Sequence, residues 1–527
     1  MSSATIVVGN AESQLVATAD VIDRVRWAVA YRDVDLPPPP LQRAIRAVMD
    51  RKGRRHGYDF DVSFVYERLG AQLVDAGWPM ERMTRRALED ALRIRGGWDG
   101  WTTLVDPRGS FGTGLLAHVR RQVELRCGLP CRVEDQRTYA CARGPAGAEP
   151  DLLPYQREAA EAFLAAGRGV IDLPPRAGKT RIAAWLIHRL GLRTLYVTPQ
   201  RGLVEQAVAA FRRYLPAEEV QPAVGGQANA RRQRALNAAL VWVATPQTAA
   251  GRKGKGALTG MHGIGSREFL VVDEFHHSAA DTYQAVSRSA VSAAWRLGLT
   301  GTHFRADGRD LEMHSVVADS VYSRTVGDMV MLGRLVRSRV AMLRVPGDPP
   351  GGKGLDLYDS GVVQHEGRNL VLAEAARALA AQGRRVLVVA KEVEHTKRLA
   401  ALIPGAVRVD GEAGEDVVGS ALRSLAAGTV RVVVGTSVIG EGRDVPAADA
   451  LVYACGGRSR VKVIQDTSRV LTAHPGKAYG IVVDAADDHH SRLTEDAAER
   501  LAIYRAEAST EARVLRLHDL VAWAVRP

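Results

Sequence analysis

Cysteine is scarce: the 527 residues include four, Cys127, Cys131, Cys141 and Cys455. The first three lie close together, but no fourth Cys or His beside them completes a tight zinc-ligand set. They are read as reduced cytosolic thiols, with no resident zinc. Long apolar runs are missing too, and none is long enough to cross a bilayer. Met1 to Asp20 lacks a basic start followed by an apolar stretch, so no signal peptide is expected. No internal repeat is visible. These absences exclude a membrane partner and point to the cytoplasm.

What is present is an ordinary globular composition, 46% hydrophobic and 25% charged. A chain this long exceeds one hydrophobic core, and about two to four domains are expected. The 71 Lys and Arg outnumber the 59 Asp and Glu, giving a net charge of +12. A basic surplus favours a polyanionic partner through steering and counterion release. An Arg-preferring genome would produce the same surplus, so charge alone does not decide the partner.

Residues 1–145 form a region of their own. Ala4 to Gly9 reads as a strand and Ala19 to Tyr31 as a helix, which the proline run Pro37 to Pro40 follows. Further helices are expected over Leu41–Met49, Val62–Ala76 and Met80–Ile94. Arg143 to Glu149 reads as a linker. From Leu152 short apolar runs alternate with amphipathic stretches, the signature of a parallel sheet covered by helices on both faces. Strands are expected at Gly169–Leu173, Thr194–Thr198, Leu240–Ala244, Phe269–Val272 and Leu297–Leu299, with helices at Thr180–Leu190 and Leu203–Tyr214. After about residue 340 the alternation restarts. Its strands are Arg385–Ala390, Val430–Val434, Ala450–Tyr453 and Tyr479–Val483; its helices are Asn369–Gln382 and Val393–Ile403. The Gly/Pro-rich segment Gly347–Gly354 is placed between the two units. The expected fold is α/β, with two tandem parallel-sheet domains, 146–338 and 339–527, behind an N-terminal α+β domain.

Leu173-Pro-Pro-Arg176-Ala177-Gly178-Lys179-Thr180 follows an expected strand and opens an expected helix, the context a phosphate-binding loop requires. Backbone N–H groups at a helix N-terminus attract anions. Lys179 would reach the β- and γ-phosphates of ATP, and Thr180 would offer its hydroxyl to Mg²⁺. Leu173 stands where the general pattern has Gly, and Arg176 where Gly or Ser is common. Phe269-Leu-Val-Val-Asp273-Glu274-Phe-His276 ends an apolar strand in two carboxylates. Asp273 would hold Mg²⁺ and Glu274 would activate the attacking water. A strand-end acidic pair can instead merely cap a helix.

From Leu152 to Asp484 the chain resembles superfamily 2 helicases, whose two domains are RecA-like. Leu153-Pro-Tyr-Gln156 resembles the motif whose Gln reads adenine, and Asp273 to His276 the DExH box. Thr198, Pro199, Thr245, Gln247 and Thr436 match positions that touch the nucleic-acid backbone. Thr300, Thr302 and His276 match those that couple hydrolysis to domain movement. Gly435-Thr-Ser through Glu441-Gly442-Arg443-Asp444-Val-Pro matches the corresponding motif of the second domain. The resemblance thus implies ATP contacts at Gln156, Arg176, Ala177, Gly178, Lys179, Thr180, Gly442, Asp444 and Gln465. One departure stands out. The last motif reads Gln465-Asp-Thr-Ser-Arg469-Val-Leu-Thr472, so the first catalytic Arg survives and the second is Thr. Arg443 is a further candidate for the missing charge.

Ile6 to Asn10, Trp98-Asp-Gly-Trp101, Arg108 to Leu116 and Val133 to Arg137 resemble the head of phage UvsW-type helicases, relatives of XPB-like and RadD-like DNA motors. That resemblance implies a DNA motor in a bacterial or phage-infected cell, acting on double-stranded or branched DNA, with single strands a further option. The N-terminal domain would choose the substrate. Arg51, Arg54 and Arg55, with Arg82, Arg85 and Arg86, would touch phosphates, although most charge runs are solvated helix faces. No nuclease motif is found. A duplex translocase serving a restriction or defence complex is the rival enzyme, and an ATP-gated clamp, suggested by Thr472, is the rival from outside catalysis.

Overall fold

In the computed structural model the described residues are 3–32, 41, 44–45, 47, 62–75, 101–223, 230–250, 263–277, 281–301, 310–351, 355–410, 413–436, 439 and 445–524. The expected helix Met80–Ile94, most of Leu41–Met49, Trp98 and the two Arg clusters lie outside them, as do Thr302, Gly442, Arg443 and Asp444.

The N-terminal domain is built on a four-stranded sheet. Strand β1 (Ala4–Val8) pairs antiparallel with β2 (Glu12–Val16). The short β3 (Ala30–Arg32) and β4 (Trp101–Thr103) form a separate antiparallel pair. Strand β5 (Ser110–Gly112) joins β2, and β6 (Cys131–Asp135) runs parallel to β1. Alternate residues of β1 are buried, as a strand with one core face requires. Ile6, Val8 and Phe111 pack against Val25 of helix Ala19–Ala28 and against Val119 and Val123 of helix Leu116–Cys127. The first of these helices ends three residues before the expected Tyr31, because Ala30 to Arg32 leave the helix to pair with β4.

The second domain holds a seven-stranded sheet in the order β13-β7-β12-β11-β8-β10-β9. Its strands are β7 (Arg168–Asp172), β8 (Thr194–Val197), β9 (Val220–Ala223), β10 (Val241–Ala244), β11 (Phe269–Val272), β12 (Trp295–Thr300) and β13 (Ser320–Ser323). All pairings are parallel. The central strands are buried along their whole length, which is why they read as unbroken apolar runs.

The third domain repeats the architecture in the order β16-β17-β15-β18-β19-β14-β20, again all parallel. Here the strands are β14 (Arg337–Leu343), β15 (Val386–Val389), β16 (Val407–Val409), β17 (Val432–Gly435), β18 (Ala450–Tyr453), β19 (Tyr479–Ala485) and β20 (Thr510–Leu515). Strand β14 corrects one expectation. It lies between β19 and β20 in this sheet, so the Gly347 segment follows the sheet's first strand and does not join the two domains. Among the described residues, no helix is long and apolar enough to cross a membrane.

The first two domains dock through glycine. A Cβ on Gly112 would stand 2.7 Å from the Ser315 carbonyl oxygen, and one on Gly114 would collide with that of His314. Only residues without a side chain let the two backbones approach so closely. Asn10 extends the contact: its amide donates to the Val291 carbonyl at 3.1 Å, and its own carbonyl accepts from Arg168 at 3.3 Å. This explains Gly112 and Gly114 of the Arg108–Leu116 stretch as docking residues.

Candidate active site

Parallel strands deliver their carboxyl ends to one edge, where α/β proteins bind ligands. Along that edge of the second domain stand, in sheet order, Ser323, Asp172, Thr300, Asp273, Thr198 and Thr245, each at or just past the end of its strand. The phosphate loop leaves β7 at Asp172 and enters helix Lys179–Leu190. Pro174 and Pro175 have no N–H, so the loop's donors come from Arg176 onward. At the start of the helix the Lys179 and Thr180 N–H groups open toward an anion, while the Arg181 N–H already donates to the Gly178 carbonyl at 2.9 Å.

Two residues of the loop have left-handed backbone: Gly178 at φ +79° and Arg176 at φ +73°. Glycine takes this conformation freely, whereas Arg is strained there, at about 1–3 kcal/mol. The conformation wanted at position 176 is thus the one glycine supplies. A Cβ on Gly178 would collide with the Gln156 amide. That amide is wholly engaged within the protein. Its oxygen accepts from the Leu153 N–H at 3.0 Å and its nitrogen donates to the Ala177 carbonyl at 2.9 Å, beside the Tyr155 hydroxyl, which donates to the same carbonyl at 2.9 Å. Gln156 is 3% exposed and lies under the loop, which its amide supports.

The Lys179 ammonium folds back on its own loop, donating to the Leu173 and Pro174 carbonyls at 3.0 and 3.3 Å. Gly301 stands against it. A Cβ there would lie 3.1 Å from Nζ and 3.0 Å from Pro175, and the Leu173 N–H donates to the Thr300 carbonyl at 3.0 Å. The Thr300 segment therefore rests directly on the phosphate loop, the contact a coupling element needs.

Asp273 and Glu274 leave β11 as adjacent half-buried carboxylates. Burial pushes both carboxyl groups above the ordinary range; for Glu274 the Asp273 charge adds to this, and Lys179 opposes it in both. Such a site has a surplus of negative charge that a cation relieves. Glu274 sits at φ +47°, a second strained non-glycine position, with His276 Nδ1 3.5 Å from its carboxylate. Burial likewise raises Asp172, to about 7, against the pull of Lys179.

Tyr196 was not legible as a site residue. Its hydroxyl donates to Asp273 Oδ2 at 2.7 Å and also hydrogen-bonds with Thr180. It therefore ties together the two side chains that could hold a divalent cation. The register pairs Tyr196 with Val271 across β8 and β11, which sets Tyr196 on the same face as Asp273, two residues on.

The proposed nucleic-acid contacts divide. Gln247 is exposed, and Pro199 and Thr245 are half-buried, whereas Thr198 and Thr436 are buried. Thr245 accepts from the Thr248 N–H at 3.3 Å, capping the short helix Pro246–Ala250.

Across the cleft, the third domain presents helix Arg460–Thr467 and the turn Ser468–Val470. Pro174, Pro175, Gly301 and Arg324 line one side of a cavity of about 210 Å³, and Arg460, Val463, Ser468 and Leu471 the other. Arg469 is buried behind this wall. Asp466 Oδ1 accepts its Nε and Nη2 at 3.2 and 2.7 Å, while its Nη1 has no hydrogen-bond partner. Gln465 is half-buried on the same helix. The Lys477 ammonium donates to the carbonyls of Thr472, Pro446 and Ala448, so the backbone at the substituted position is firmly held.

Two parallel-sheet domains facing each other across a cleft, one carrying a phosphate loop and a carboxylate pair, define a nucleotide-driven motor. Known families match in the same series: the type III restriction enzyme res subunit over residues 149–305, and the helicase conserved C-terminal domain over residues 369–473. The chain thus carries the two domains of an ATP-hydrolysing helicase, and it resembles superfamily 2 helicases and XPB-type proteins.

The DNA 3'-5' translocase XPB2 of Sulfurisphaera tokodaii is 24% identical over 368 residues, 61% of this chain and 78% of that protein. The DNA 3'-5' helicase XPB of Mycobacterium tuberculosis is 30% identical over 201 residues, 37% of this chain and 34% of that protein. Among solved structures, T4 UvsW aligns over 98% of this chain and 100% of its own, at 17% identity and a TM-score of 0.42.

Proposed function

We propose that the protein is an ATP-dependent DNA helicase or translocase that remodels duplex or branched DNA in recombination, repair or replication, working in the cytoplasm. The observation that carries this is the single carboxyl edge on which the phosphate loop, the carboxylate pair and the Thr198 and Thr245 loops line up, facing the third-domain wall of Arg460, Val463 and Ser468 across the cleft. The DNA 3'-5' activities named for the two XPB-type relatives supply the polymer.

In this reading Lys179, with the N–H groups from Arg176 to Thr180, holds the ATP phosphates. Thr180 and Asp273 hold Mg²⁺, which neutralises phosphate charge when bound. Glu274 positions and deprotonates the attacking water, and His276 and Thr300 relay the state of the site. Gln156 acts first by bracing the loop. Pro199, Thr245 and Gln247 offer the reachable contacts to the nucleic-acid backbone. Phosphate contacts carry no sequence information, so binding is selective for structure. The N-terminal domain, residues 1–145, is the surface added to the motor and supplies that selectivity.

The test is ATP turnover by the full chain with no nucleic acid, linear duplex, a forked duplex, single-stranded DNA or single-stranded RNA, at fixed salt. Stimulation by DNA, strongest with the fork, is expected. Turnover at the nucleic-acid-free level throughout would mean a clamp, and strongest stimulation by RNA would remove DNA from the proposal. A second reading is favoured by the restriction-subunit family match: translocation on duplex without strand separation. It predicts displacement of a third strand from a triplex, with no unwinding of a fork.

Tyr196→Phe tests the brace between Thr180 and Asp273. The ring and its edge-on packing with Phe211, at 5.0 Å between centroids, are kept. Losing a hydrogen bond that orients a metal ligand costs about 10–100-fold in metal affinity or activity. The Mg²⁺ concentration for half-maximal turnover is therefore expected to rise about tenfold or more. An unchanged Mg²⁺ curve would leave Tyr196 a packing residue only.

A further inference from the structure

We propose that His118, His314 and Asp319 bind a divalent transition-metal ion of the zinc class, which staples the N-terminal domain to the phosphate-loop domain. The three residues come from three separate places. His118 lies on the N-terminal helix Leu116–Cys127, His314 on helix Asp310–Val316, and Asp319 at the entry to β13. Their donor atoms all lie within 4.8 Å of one another. His118 Nε2 stands 3.0 Å and His314 Nδ1 2.9 Å from the same oxygen, Oδ1 of Asp319.

Two ligands bonded at about 2.1 Å to one ion stand about 3.0–3.4 Å apart at angles between octahedral and tetrahedral. The two His–Asp separations thus need to widen by only a few tenths of an ångström, while the two imidazole nitrogens, within 4.8 Å of each other, must settle into the same range.

A second observation separates this cluster from an ordinary ion pair. His314 Nδ1 is buried and close to the carboxylate, yet makes no hydrogen bond, because the contact lacks hydrogen-bond alignment. A buried imidazole nitrogen left in this way has a lone pair to offer a third body. The Asp319 carboxyl is held far below the ordinary range by its hydrogen bond to His118 and by the close His314 imidazole, so it stays ionised as a ligand must. The side chains are 34%, 29% and 49% exposed, which leaves an entry path and room for water in the remaining positions. Two imidazoles with one carboxylate suit zinc and its neighbours, whereas Mg²⁺ and Ca²⁺ prefer all-oxygen sites. Asp319 raises the His118 pKa, and the nearby Arg121 charge, which pulls against that rise, also opposes a cation here and limits the affinity.

Such an ion would act on the motor through short links. The Asp319 carbonyl accepts from the Val170 N–H at 3.0 Å, in the strand that ends at the phosphate loop. The His314 carbonyl is the atom against which Gly114 docks.

The experiment titrates ZnCl₂ into untagged, chelator-treated full chain in Mg²⁺ buffer, by calorimetry. One zinc per chain and a raised melting temperature are expected. His118→Ala and Asp319→Asn should each lower zinc affinity by more than the about tenfold that loss of an outer partner costs. Cobalt substituted for zinc should show no thiolate charge-transfer band, which distinguishes this site from Cys127 and Cys131 in the same domain. Absence of stoichiometric binding, a thiolate band, or full affinity in a folded Asp319→Asn protein would overturn the proposal and leave a hydrogen-bonded His–Asp–His clasp. Asp319→Asn keeps the shape of the side chain, so circular dichroism of that variant guards against simple misfolding.

Discussion

Lys179→Ala is expected to abolish ATP binding, and Glu274→Gln to keep binding while stopping turnover. The two variants should separate because their side chains answer to different parts of the site. Among the described residues, the Lys179 ammonium is the cation whose charge offsets the raised Asp172, Asp273 and Glu274 carboxyl groups. Removing it leaves the phosphates facing an acidic pocket without that counter-charge. Glu274→Gln keeps the side-chain volume and removes only the basic oxygen. General-base catalysis is worth about 10²–10⁴-fold, so turnover should fall by at least the lower figure. Binding of a fluorescent ATP analogue and release of phosphate, measured on the same preparations, check the pair. Near-normal phosphate release by Glu274→Gln would take the water-activating role away from Glu274.

The second large effect is expected at Arg469. Its Nε and Nη2 are fixed by Asp466, which also pairs with Lys462 at 3.3 Å, while Nη1 is buried without a partner. A guanidinium held at one end with a donor unspent is poised to stabilise charge that develops on the transferring phosphoryl group when the cleft closes. Arginines in that role are worth about 10³–10⁵-fold in rate. Arg469→Ala should therefore cut turnover by about 10³-fold or more with little change in DNA affinity. Thr472→Arg, which restores the usual second charge, should leave the rate unchanged or raise it. The Lys477 clamp on the Thr472 carbonyl keeps the backbone in place for that exchange. A rate that survives Arg469→Ala would shift the role to Arg443, and a collapse on Thr472→Arg would mean that the motif has diverged in geometry.

The fold was legible where burial is complete. Phe-Leu-Val-Val of β11 and Val-Leu-Val-Val of β15 can be little else than central strands of a parallel sheet. The edges were not. Val-Gln-Pro-Ala of β9, Ser-Val-Tyr-Ser of β13 and Val-Arg-Val of β16 are short and mixed in polarity, because one side of an edge strand meets solvent. In β14 the opening Arg-Ser-Arg hides an apolar second half, so the third domain begins before the sequence pattern shows it. The phosphate loop and the Asp273–Glu274 pair were readable because each is a local string at the end of a strand. Tyr196 was not, since its role depends on the β8–β11 register. Gln156 was readable as a motif, but its engagement with Leu153 and Ala177 appears only once helix Pro154–Ala166 is set against the loop.

The apolar seam of the cleft has a calorimetric consequence. Leu335, Val340, Val463 and Leu471 on the third-domain side belong to the same continuous core as Leu173 and Leu299 of the second. Any stroke that parts the domains wets some of this surface, and any stroke that closes them dries it. Drying apolar surface lowers heat capacity. Nucleotide binding that closes the cleft should thus grow more exothermic with rising temperature, and the slope of that trend would measure how far the motor opens.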